Sequence, residues 1–210
     1  MNFFGHAVVA SWHDAGGGRA LGAMLPDFQT MSGARVAAVD DAEVAAGIDL
    51  HHATDAAFHR LPAFVGLTRE VEARLRAADV GRGPTRAVAH VGVELLLDGV
   101  LLDDVDGCAT YLAGLDHPIA TITWREPGDD ARFAHLHGRL RAYGVPRDLA
   151  RADAVAHRVL RMIAPRPLLR ASAAEAEVIR RELAAMAPRV RVATPTVMAA
   201  LRAAMTPAPA

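Results

Sequence analysis

The chain has 210 residues with a formal net charge of −1, 23 basic residues that are all arginine, ten histidines and one cysteine. A near-neutral balance excludes a broad electrostatic footprint for nucleic acid or an anionic membrane, and the lone Cys108 excludes an intrachain disulfide, a zinc ribbon or a thiol pair. With no Pro/Gly/Ser-rich linker to divide it, the sequence reads as one domain over 1–205 with a frayed Pro/Ala tail over 206–210.

The opening "MNFFGHAVVASWHD" lacks a positive n-region and its apolar run is broken by His6, so it does not read as a signal peptide. No later segment offers about 18 uncharged apolar residues, and the expectation is a soluble, cytoplasmic chain. Apolar residues recur three and four apart in stretches rich in Ala, Leu, Arg and Glu, which predicts helices over 3–11, 18–28, 41–59, 63–78, 82–101, 105–115, 130–143, 147–163, 172–186 and 196–205. Breaks at "HDAGGG", "DVGRGP", "REPGDD" and Gly144 with Pro146 separate them. "ATITW" over 120–124 is the best strand candidate, and one strand makes no sheet, so the expected fold class is all-α.

The third predicted helix carries "GIDLHHATDAAFHRL". Neighbours four apart share a helix face, so His51, Asp55 and His59 are expected in one column, with His52 pointing elsewhere. Imidazole, carboxylate and imidazole are ligand types for a divalent ion, though such columns also occur on ordinary helix surfaces. The fifth helix, "TRAVAHVGVELLLDGVLLDD", repeats the four-residue step with His90, Glu94 and Asp98 among Val, Leu, Ala and Gly. Buried imidazoles and carboxylates there must be paired, protonated or metal-bound, while Asp98 is read as approaching the helix end and solvent. The two columns suggest one shared site.

Three motifs read more plainly. His135 and His137 diverge by about 200° on a helix and are taken as surface residues. Gly16 to Gly18 follow no strand and read as a flexible turn. "DDVDG" lacks the distal Glu of a calcium loop and reads as a helix connection with an N-cap.

Taken together, "MNFFGHAVVA" with His6, "LGAMLPDF" with Asp27, "GIDLHHATD" with His51 and Asp55, and "VLRMIAPRPLL" with Arg166 and Pro167 resemble the acyl carrier protein phosphodiesterases, all-α relatives of the HD-domain metal hydrolases. The likeness covers nearly the whole chain, with its specific motifs in the N-terminal half. It implies an HD-like helical domain in which His6, Asp27, His51, Asp55, His59, His90 and Glu94 hold one or two divalent ions, Mn or Fe. It further implies Asp55 and Glu94 as catalytic carboxylates, Arg166 and His52 as substrate contacts, and an acyl carrier protein as partner, faced by Arg158, Arg161, Arg166 and Arg170.

The departures from the family pattern concern phosphate. Where the family carries two arginines after the first helix histidine, this chain has His52 and Ala53; the second acidic residue of that helix is His59; and the fifth-helix Asp-x-x-x-Asp-His reads "HVGVEL". Ligand chemistry is kept while phosphate contacts are thinned. Two other readings therefore stand beside hydrolysis of the phosphopantetheine–serine ester: another metal-dependent reaction on the same scaffold, either on a different phosphoester or an iron-dependent oxidation, or a non-catalytic descendant that binds metal or carrier protein.

Overall fold

The computed structural model describes residues 1–13 and 16–206. Part of the "HDAGGG" break and the tail beyond Thr206 lie outside the described residues. Among those described, nine α-helices and one two-stranded sheet make an all-α fold. No described helix is long and apolar enough to cross a membrane. The chain forms two compact units, Met1–Ala56 with Leu101–Pro146, and Ala57–Val100 with Arg147–Ala210.

The first unit gathers α1 (Phe3–Ser11), α2 (Gly17–Ser32), most of α3 (Ala42–Phe58), α6 (Val105–Asp116) and α7 (Asp129–Tyr143). Helix α1 is apolar on all sides and is buried from Phe3 to Ala10, as a helix without a polar face must be. It packs on α2 and α6 through Phe3, Phe4, Phe28 and Tyr111, whose rings meet in tilted and edge-on pairs at 5.5 to 6.0 Å. Helix α2 runs four residues beyond its expected end. It stops at Gly33, whose φ of 71° closes the last turn with an N–H donated to the Gln29 carbonyl. Asp104 caps α6 by accepting from the Gly107 amide at 2.9 Å, as "DDVDG" suggested.

The expectation of an unpaired strand is corrected. β2 (Ile122–Trp124) pairs antiparallel with β1 (Val36–Val39), with Val36 opposite Trp124 and Val39 opposite Ile122. Asp129, at the start of α7 and almost wholly buried, ties this strand pair down. Its Oδ2 accepts the amides of Arg35 at 3.0 Å and Glu126 at 3.1 Å, and its Oδ1 faces the Arg132 guanidinium. Burial alone would raise its pKa, but those amides and Arg132 hold it below the usual carboxylate value. A folded pKa depressed below the unfolded one adds stability above the unfolded value of about 3.9, lost as pH falls through the folded value. Asp129→Ala should therefore lower the urea midpoint at pH 7, and the gap from the parent should narrow progressively in urea titrations taken below about pH 4.

In the second unit, α4 (Pro62–Ala77) and α8 (Ala152–Ile163) pack on α9 (Ala173–Met205), and most of α5 (Arg82–Leu101) lies here. The predicted helix over 147–163 is divided: Arg147–Ala150 form a 3-10 turn and Arg151, extended, starts α8. The two helices expected over 172–186 and 196–205 are instead one helix of 33 residues. Ser172 and Glu175 form a capping box at its start. Pro188 and Pro195 fail to break it because both face solvent, where water can satisfy the carbonyls their missing N–H groups release. Meanwhile Ile179, Leu183, Met186, Val190, Thr194, Val197 and Leu201 bury one continuous stripe through both prolines. A proline inside a helix costs about 3 kcal/mol and each buried aliphatic side chain returns about 1.5 to 3, so the stripe prevails.

Candidate metal centres

The first centre begins with two glycines. A Cβ on Gly22 would lie 2.0 Å from the Val44 carbonyl oxygen, and one on Gly47 would lie 2.2 Å from that of Arg19. Only glycine lets α2 and α3 cross backbone to backbone. That crossing sets Asp27 and His51, each about one turn further along its helix, toward a common point, and α1 supplies His6.

His6, Asp27 and His51 each offer a ligand atom, and these atoms lie within 4.8 Å of one another. The His6 and His51 rings stack at 3.9 Å and 29°, and both residues are buried. His51 Nδ1–H donates to the Ala23 carbonyl at 2.9 Å, which assigns Nε2 as the ligand atom. Burial, then the neighbouring His6, push the His51 pKa down to about 4 against the opposing Ala23 bond. The imidazole is neutral at physiological pH with its lone pair available.

One turn along α3, Asp55 joins the same group. Its Oδ1 accepts the amine of Met1 at 2.9 Å and lies 3.3 Å from His6 Nε2, while Oδ2 is 3.7 Å from His51 Nε2. Burial opposes ionisation, yet the His6 hydrogen bond and the ammonium charge keep Asp55 far below the usual carboxylate range.

His59 departs from the expected column. Helix α3 ends at Phe58, and His59 in the following turn donates its Nε2–H to Glu94 Oε1 of α5 at 3.0 Å. His90, one turn before Glu94, places its Nε2 3.2 Å from the same oxygen. The seven proposed ligands thus resolve into His6, Asp27 and His51, flanked by Asp55, in the first unit, and His59, His90 and Glu94 in the second. Burial would raise the Glu94 pKa, but hydrogen bonds from His59 and His90 drive it well below the carboxylate range.

Other predicted residues fall as follows. His52 is exposed and stands edge-on to His51 at 5.3 Å. Arg166 is exposed and donates to the Met162 carbonyl at 3.1 Å, Arg170 donates to that of Ala164, and Arg158 grips Asp148. Three of the four arginines expected to form a basic rim thus have local partners. Asp98 is fully buried rather than near solvent, and His137 is buried against Phe133 while His135 is exposed. Neither His135 nor His137 joins a ligand group among the described residues. Sequence reasoning missed the Met1 amine on Asp55 and the Ala23 carbonyl on His51; a backbone carbonyl leaves no signature in residue type. Comparison of the chain with protein-family models, curated proteins and solved structures gave no match.

Proposed function

We propose that the centre of His6, Asp27 and His51 holds a divalent ion, Mn or Fe, and that the protein is a metal-dependent phosphodiesterase acting on the phosphopantetheine–serine ester of an acyl carrier protein or a related phosphoester. The observation that carries this reading is the convergence of two buried imidazoles and a carboxylate, with His51 neutral and its Nε2 set by Ala23. Mixed nitrogen and oxygen donors suit such ions. An ion bound there would lower the pKa of a water and offset charge building on the phosphodiester.

The chain's own residues supply the rest. Asp55, with Oδ2 3.7 Å from His51 Nε2, is the carboxylate placed to orient a nucleophilic water beside the ion by accepting its hydrogen bond. His52, exposed on the position after His51 on the same helix, is the substrate contact within this unit. His52 and Ala53, where the family carries two arginines, favour a substrate that needs fewer phosphate contacts than the family's. The test is elemental analysis of untagged protein followed by an assay on holo carrier protein. The expected result is about one or two equivalents of Mn or Fe and release of phosphopantetheine that a chelator stops. A protein that takes up no divalent ion, or a loaded one inert on carrier protein and on simple phosphodiesters, overturns the reading.

A further inference from the structure

The second trio calls for its own account. Its donors come from two places, the turn after α3 and one face of α5, and its three ligand atoms lie within 4.8 Å of one another. Both imidazoles bring Nε2 to the same carboxylate oxygen, at 3.0 and 3.2 Å, and their rings stack at 4.9 Å and 17°. Phe64 stands edge-on to both rings, at 5.5 Å to His59 and 5.8 Å to His90, and is itself backed by Phe58 at 4.3 Å. An aromatic bracket that fixes two imidazoles over one oxygen is the pre-organisation a ligand set needs.

Burial differs across the trio in a useful way. Glu94 is 7% exposed on a helix whose neighbouring residues Val93, Leu95, Leu96 and Leu97 are all buried. A carboxylate taken out of water is costly, and one imidazole would suffice to pair it. The His90 side chain is 50% exposed and that of His59 32%, so the open side of the trio is wet. A surface ion pair explains neither the convergence of two rings nor the buried position of their common acceptor.

We propose that His59, His90 and Glu94 form a second metal site, complete within its own unit, that binds a late first-row divalent cation such as zinc, cobalt or nickel. Two imidazoles and one carboxylate leave one position to water in a tetrahedral complex or three in an octahedral one. The site is therefore exchangeable and solvent-reached, in contrast to the buried first centre. This proposal stands without the hydrolase reading.

Cobalt titration of the full chain tests it, following the visible d–d bands and competing with zinc. His90→Ala is the main variant because an exposed side chain can be removed without disturbing the core; His59→Ala and His51→Ala accompany it. The expected result is that His90→Ala and His59→Ala each weaken one cobalt class by at least about tenfold, while His51→Ala leaves that class unchanged. Parent-like titrations of His90→Ala and His59→Ala overturn the proposal, as does the absence of cobalt binding. Loss of one and the same equivalent in His51→Ala and His90→Ala also overturns it. Activity on carrier protein is scored separately, so the two readings can fail independently.

Discussion

Gly47→Ala is expected to destabilise the protein by about 3 kcal/mol or more and to release the ion from the first centre. The added methyl would stand 2.2 Å from the Arg19 carbonyl oxygen and 2.7 Å from Gly22 Cα. Both obstacles are backbone, so no rotamer change relieves the clash, and α2 and α3 must separate. Separation breaks the His51 Nδ1–Ala23 bond and carries Asp27 away from His51. Gly22→Ala should behave alike, since its Cβ meets the Val44 carbonyl at 2.0 Å. Gly138→Ala is the control. Nothing lies within 4 Å of a Cβ there, and replacing a mid-helix glycine should add about 0.5 to 1 kcal/mol. Urea denaturation and metal analysis check all three, and a Gly47→Ala protein as stable as the parent would refute the contact.

The second large effect is chemical. The double replacement His51→Ala with Asp55→Ala should remove one equivalent of bound ion and lower affinity at the first centre by more than about a hundredfold, since even outer partners of metal ligands are worth about 10- to 100-fold. Phosphodiester hydrolysis should fall with it. The readout is elemental analysis on protein whose circular dichroism matches the parent, because a cavity beneath His6 could otherwise mimic the loss. Unchanged stoichiometry in a folded double variant would remove the basis for this centre.

The helical periodicity carried the fold class and most element positions, including α1 and α5 to the residue. It failed where a local rule met a tertiary one. Two prolines break a helix when they turn toward the core, and Pro188 and Pro195 both stand on the exposed side of α9. β1 is four residues with two alanines, and its partner β2 lies far along the chain, so neither strand carries a signal strong enough alone. The ligand residues were legible as types at four-residue spacing. Their grouping was not, because His59 falls one residue past the end of α3 and so leaves the face it shares with His51 in an ideal helix. His137 was misplaced for a related reason: spacing shows that it diverges from His135, but not which of the two turns inward.

The partner of His51 Nδ1 is a main-chain carbonyl, and this alters how the centre can be lost. A carboxylate in that role could be deleted by one base change, and its charge would tune the imidazole's basicity. A peptide oxygen cannot be deleted by substituting Ala23, and it carries no titrating proton. The tautomer of the ligand is thus inherited from helix spacing rather than from any polar neighbour, so substitutions that disable it should concentrate at small, apolar positions that look chemically inert.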